Sequence, residues 1–265
     1  MLTLRDVHRR FHAGTANEAR ALDGIDLDMA EGDFIAVIGS NGAGKSTLLR
    51  AICGLIELDA GTVELDGRDV TRWPAHRRAR LIGRVAQDPA DGTCASMTVA
   101  ENLAMALRRG TRRGLRRAVS APTKRLFRER LAGLGLGLEE RLDARAATLS
   151  GGQRQALALL MATIATPRLL LLDEHLANLD PRTAEIVMTL TGRVVAEARL
   201  TTIMVTHNMA DALRWGNRLL MLHAGRVVFA AAGQAKAALT VPELVAKFHS
   251  ASGRAFAEDR VLLAE

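Results

Sequence analysis

The nine residues GSNGAGKST, 39–47, constrain this chain more than any other stretch. They end DFIAVIG (33–39), a short apolar run rich in β-formers, and lead into STLLRAICGL, which reads as a helix. A strand that passes through a glycine loop into a helix wraps backbone N–H groups around an anion, at the positive end of the helix. Gly39, Gly42 and Gly44 allow that wrap, with Ser40, Asn41 and Ala43 between them. In the pattern G-x-x-x-x-G-K-[ST], Lys45 reaches the β- and γ-phosphates, Ser46 ligates Mg²⁺ and Thr47 touches the α-phosphate. A nucleotide site is expected here.

A second stretch supplies its acidic edge. RLLLLDE (168–174) is a continuously apolar strand of the kind buried on both faces of a parallel sheet. The aspartate ending such a strand in P-loop enzymes holds Mg²⁺, which assigns Asp173, and Glu174 is placed to orient or deprotonate the attacking water. Asp180-Pro181 then opens a helix, with Asp at the cap and Pro in the first turn.

The rest of the chain is organised around these two strands. GTVELDGRDV (61–70) reads as a hairpin turning at Asp66-Gly67, and RLIGRVAQD (80–88) as a strand ending at Gln87. Helical periodicity takes over from Thr98, where TVAE forms a capping box, so 90–165 reads as a helical subdomain inserted in an α/β core. TTIMVTH (201–207) is a further buried strand, RLLMLHAGRVVF (218–229) a hairpin about Ala224-Gly225, and TVPELVAKF (240–248) a short helix capped by Thr240 and Glu243. Aromatics make up 3% of the residues and tyrosine is absent, so the core rests on aliphatic side chains. Two cysteines, Cys53 and Cys94, fit a reducing compartment rather than a disulfide framework. The charged opening MLTLRDVHRRFH shows no signal peptide, and no apolar run is long enough to span a bilayer. The net charge is +7, concentrated in RRGTRRGLRR (108–117), which reads first as a solvated face, with membrane headgroups or a partner next and nucleic acid last. Without aromatic interleaving, no nucleic-acid partner is expected.

LSGGQ (149–153) has a bland reading, since Ser150 with Gln153 is another capping box, and the helix after it is expected to bury Ala156, Leu157, Leu160, Met161 and Ile164 on one face. A cap does not require Gly151 and Gly152, which are poor helix formers and leave bare N–H groups at a positive helix end. With this motif the chain resembles the ATP-binding cassette (ABC) ATPases over residues 2–230. The resemblance implies a P-loop NTPase core, with an antiparallel β-subdomain at the start and the inserted helical subdomain at 90–165, followed by a short helical extension at 231–265.

The same resemblance implies the remaining site. Two copies meet head to tail, and Ser150, Gly151, Gly152 and Gln153 of each cap the γ-phosphate of ATP held by the other's phosphate loop. Gln87 corresponds to the glutamine that senses Mg²⁺ and the attacking water, His207 to the histidine on the γ-phosphate, and Asp180 to an aspartate between the subunits, with helix capping as a second job. Phe11 stands where the family stacks an aromatic on adenine. His175 and Leu176 depart from the family, which commonly has proline and then a small or aromatic residue; because Asp173, Glu174 and Asp180 are kept, a packing difference is favoured over a catalytic or pH-sensing role. QDPADGTCASMTVAENLAMALRRG and VTHNMADALRWGNRLLMLHAGRVV are similar to a bacterial importer branch, which implies permease subunits of the branched-chain amino-acid type, an extracytoplasmic solute-binding protein, and a place on the cytoplasmic face of the inner membrane. About a hundred residues separate Lys45 from Leu149, too few for the coiled-coil insertion of soluble DNA-repair relatives. An export or lipoprotein-release system stays open.

Overall fold

The computed structural model describes residues 1–111, 114 and 117–252; Arg112, Arg113, Leu115 and Arg116 of the arginine run, and 253–265 of the tail, lie outside the described residues. The chain forms two compact units, Met1–Arg78 with Thr201–Glu265, and Ala79–Leu200.

The first unit holds an antiparallel sheet in the order β2 (Ala19–Met29), β1 (Leu2–Phe11), β4 (Ala60–Leu65), β5 (Arg68–Asp69). Leu2, Leu4 and Val7 of β1 and Leu22, Ile25 and Leu27 of β2 are buried. The β4–β5 turn carries Asp66 at φ 51 and Gly67 at φ 70, the two left-handed residues that match a tight hairpin to strand twist. A second sheet runs β10 (Arg226–Ala232), β9 (Arg218–His223), β3 (Phe34–Gly39), β8 (Thr201–Val205). β3 is parallel to both β8 and β9, and β10 returns antiparallel through Ala224 and Gly225. Every residue of β3 and of β8 is buried, as strands covered on both faces require. Helices α1 (Lys45–Cys53) and α7 (Met209–Arg214) leave the carboxyl ends of β3 and β8. The unit is completed by α2 (Ala75–Arg78), α8 (Gly233–Ala237) and α9 (Val241–Ser252). The cap expected for α9 is present, with Glu243 N–H on Thr240 Oγ1 at 3.4 Å and Thr240 N–H on Glu243 Oε2 at 2.8 Å.

In the second unit β6 (Ile82–Val85) and β7 (Leu169–Asp173) pair in parallel. They are joined by the helices α3 (Val99–Leu107), α4 (Ala121–Ala132) and α5 (Gly151–Thr163), and β7 is followed by α6 (Pro181–Ala198). These include the expected insert, 90–165. Reciprocal capping boxes start α3 at Thr98 and Glu101, α5 at Ser150 and Gln153, and also α4 at Ser120 and Thr123. Asp180 caps α6 by accepting from Thr183 N–H at 3.1 Å. Two expectations are corrected. β6 ends at Val85, so Gln87 lies in a bend two residues beyond it. α5 is not amphipathic: Gln155, Ala158, Leu159 and Ala162 are buried along with Ala156, Leu157 and Leu160, while Met161 and Ile164 are half-buried. The cause is packing on several sides, against α3, α6 and β6. β6 comes so close that a Cβ on Gly83 would lie 2.4 Å from Ala162 O.

Candidate active site

The first unit builds the phosphate loop. β3 delivers Gly39 into a backbone turn that only glycine fits: a Cβ on Gly39 would stand 2.3 Å from Leu222 O, and one on Gly44 2.2 Å from Ala21 O. Gly44, at φ 101, is the N-cap of α1 and supplies no side-chain cap. Gly42 is left-handed at φ 78. Ala43 is buried and Asn41 exposed, while Ser40, Ser46 and Thr47 are half-buried. Lys45 is only 6% exposed, and its Nζ donates to Gly39 O at 2.8 Å and Ser40 O at 3.1 Å, an arc of carbonyls that holds the ammonium against its own loop. His207 follows β8 by two residues; because Val37 pairs with Val205 and Thr206 N–H donates to Val37 O at 3.1 Å, the histidine and the loop share one edge of the sheet. Phe11 ends β1, half-buried, with the Arg9 guanidinium 5.0 Å from its ring centre.

The second unit gathers Gln87, Ser150, Gly151, Gly152, Gln153, Asp173, Glu174 and Asp180. Asp173 is the last residue of β7 and 5% exposed; its Oδ2 meets Arg84 Nη2 at 3.2 Å. Glu174 follows in the left-handed region at φ 43 and is half-buried. Gln87 is exposed just past the carboxyl end of the neighbouring strand β6. The start of α5 lies against the start of α6: a Cβ on Gly152 would be 2.3 Å from Thr183 Cγ2, and one on Gly151 3.3 Å from Leu179 Cδ2. Gly152 thus has a packing reason as well as a donor to offer. Gln153 is engaged at both ends of its amide. Its Oε1 accepts from Ser150 N–H at 3.2 Å and from Arg141 Nη1 at 3.1 Å, and its Nε2 donates to Leu136 O at 3.2 Å. It holds Ser150 in place.

His175 is buried, 2% exposed, beside Thr191. Thr191 Oγ1 donates to Val187 O at 2.8 Å, so at 3.3 Å it accepts from Nε2–H of the neutral ring. Burial pushes the imidazole down to about 4. The side chain is therefore a neutral packing element.

Sequence reasoning passed over Arg84 and Arg141, which position Asp173 and Gln153. For Arg84 a signal exists, a lone cation inside the short apolar run LIGRV. For Arg141 there is none, because its partners come from different turns.

Three comparisons bear on this arrangement. The family model described as ABC transporter matches residues 22–177. The chain is 43% identical over 251 residues to the tyrosine transport ATP-binding protein of Clostridioides difficile, covering 95% of this chain and 100% of that protein. It is 39% identical over 208 residues to the sulfate/thiosulfate import ATP-binding protein of Mycobacterium tuberculosis, covering 78% of this chain but only 56% of that longer protein. Among solved structures, a dimeric, post-hydrolysis ATP-binding cassette bound to ADP and Pi superposes with TM-score 0.75 at 28% identity, over 88% of this chain and 98% of that one. The chain belongs to the ABC transporter family, as one of its ATP-binding, ATP-hydrolysing subunits.

Proposed function

We propose that this protein is the energy-coupling subunit of a bacterial importer of amino acids or similar small solutes. The observation that carries the reading is the match, over 95% of this chain, to the full length of a tyrosine transport ATP-binding protein. On this reading two copies bind two ATP molecules head to tail, permease subunits dock on them, and an extracytoplasmic solute-binding protein delivers cargo. The protein then sits on the cytoplasmic face of the inner membrane, held there through the permease; among the described residues no helix is long and apolar enough to cross it. Residues 1–230 act as the ATPase domain and 231–265 as an extension of it.

The roles follow from the groups present. Lys45 leaves the carbonyls of Gly39 and Ser40 for the β- and γ-phosphates, while the N–H groups at the start of α1 receive phosphate oxygens. Phe11 stacks on adenine, and His207 holds the γ-phosphate from the end of β8. Ser46, Asp173 and Gln87 offer a hydroxyl, a carboxylate and an amide oxygen, the hard donors that suit Mg²⁺. That ion would neutralise charge on the β- and γ-phosphates. Glu174 orients a water and takes its proton as the water oxygen bonds to the γ-phosphorus; the bond to the β-phosphate oxygen breaks and ADP leaves. Ser150, Gly151 and Gly152 address the γ-phosphate of the partner copy, with Gln153 fixing their geometry and Asp180 at the subunit boundary.

The test is a pull-down of tagged Glu174→Gln protein from detergent-solubilised native membranes with ATP and Mg²⁺. Co-purification of an amino-acid permease supports the reading. Capture of soluble proteins alone, with ATP-driven dimerisation intact, leaves the ATPase standing and removes the importer.

A further inference from the structure

The second unit holds a cavity that none of these roles uses. Its volume is about 440 Å³, and the last turns of α4, α5 and α6 wall it. Small-molecule sites typically measure about 300–1,000 Å³. α5 and α6 begin at Ser150 and Asp180, so the cavity lies at the far ends of both helices from those residues. Its apolar lining comes from Leu134 and Leu160, which are buried, and from Ile164 and Val194, which are half-buried.

Four charged side chains share its wall, Glu129 and Arg130 of α4 with Arg193 and Glu197 of α6, and all four are exposed. None of them makes an ion pair among the described residues, whether with one another or elsewhere. Arg193 Nη2 instead donates to Gly133 O, just past α4, and ties the two walls together. The carboxyl ends of three helices add negative partial charge. Arg193 answers one of these ends, and Arg109 answers that of α5, donating to Met161 O at 3.3 Å and Ala162 O at 2.8 Å. Charge of both signs therefore surrounds an apolar lining, which suits neither a plain anion nor a plain cation. We propose that this cavity binds a free α-amino acid with an apolar side chain. Its carboxylate meets Arg130 and Arg193, since a guanidinium fork matches the two carboxylate oxygens. Its ammonium, a donor only, meets the carboxylates of Glu129 and Glu197. Its side chain lies on Leu134, Leu160, Ile164 and Val194, where leaving water favours binding.

This inference rests on the cavity alone and needs no permease, so it stands or falls apart from the importer reading. The test is titration calorimetry of the full chain with L-phenylalanine and L-leucine. Two analogues serve as controls, phenethylamine, which lacks the carboxylate, and 3-phenylpropionate, which lacks the ammonium. At least one amino acid is expected to bind saturably, at one site per chain, and each analogue about 10-fold or more weaker than L-phenylalanine. Glu129→Gln/Glu197→Gln should weaken amino-acid binding by about the same factor. Val194→Trp, which fills the cavity, should abolish it, while Lys45→Ala should leave it in place. Thermal melts and ATP turnover of the Glu129→Gln/Glu197→Gln and Val194→Trp proteins, both expected near the parent's, show that they are folded; should Val194→Trp fail to fold, the glutamate pair decides. No binding of either amino acid, an analogue that binds as tightly as L-phenylalanine, or parental affinity in the folded variants would each overturn the proposal.

Discussion

Helices α1 and α5 both begin among glycines, and they begin in opposite ways. α1 starts from Gly44, in the left-handed region, with no side chain to cap it. α5 starts from Ser150 in an extended conformation and closes on itself, Ser150 accepting from Gln153 N–H while Gln153 accepts from Ser150 N–H. A side-chain cap costs the helix one of its four unbonded donors. The phosphate loop forgoes that side-chain cap, and such a helix start suits an anion. The signature keeps the cap, stands as a finished helix start, and offers only what Gly151 and Gly152 leave over. On the proposed reading, one site holds a nucleotide and the other meets one already held.

That contrast can be broken in several ways. Lys45→Ala should lower nucleotide affinity of the isolated subunit by about 100-fold or more, since it deletes a charge-assisted contact worth about 3 kcal/mol; Ser150→Ala should leave that affinity unchanged. Calorimetric titration of the two variants checks both, and equal losses would erase the distinction.

A second outcome separates the helix starts from the neighbouring His175. Its folded value, about 4, lies below the ordinary 6.5. Between these values the unfolded chain takes up a proton that the fold refuses, so stability should fall as pH drops through this window, by about 1.4 kcal/mol per pH unit, and level off below it. Denaturant melts across this range should show the slope in the parent and in Ser150→Ala, and lose it in His175→Leu.

Smaller effects probe the packing. Gly152→Ala should cost about 1–3 kcal/mol, because the new methyl would meet Thr183 Cγ2. Thr183→Ser removes that methyl, so the double variant should recover most of the loss in thermal melts; no recovery would mean that the glycine serves only its N–H. Ser150→Ala should cost about 1 kcal/mol in the same melts through the lost cap.

These local features were the ones legible in the sequence. Caps at Thr98, Ser150, Asp180 and Thr240, and turns at Asp66-Gly67 and Ala224-Gly225, are set by residues within a few positions of each other. So are the glycines of the phosphate loop, although the atoms that demand them, Ala21 O and Leu222 O, come from far along the chain. What stayed hidden depends on distant partners. Met161 and Ile164 fit a helical stripe, but neighbours on other sides buried Gln155 and Ala158 instead. Arg78 and Lys236 carry no mark in the sequence, yet each is buried against backbone carbonyls, Lys236 on Trp215 O and Gly216 O at 2.5 and 2.7 Å. No periodicity marks a cation whose partners are main-chain oxygens.

Glu174 carries one more consequence. Its carboxylate is set by a backbone at φ 43, a conformation that costs a side-chain-bearing residue on the order of 1 kcal/mol and glycine nothing. Folding alone would therefore favour glycine at this position, and on the role proposed for Glu174, retaining the glutamate trades some robustness for turnover. A search for heat-resistant variants that ignores activity should drift toward glycine at position 174, and the proposed role of Glu174 predicts that its best-folded products are inert.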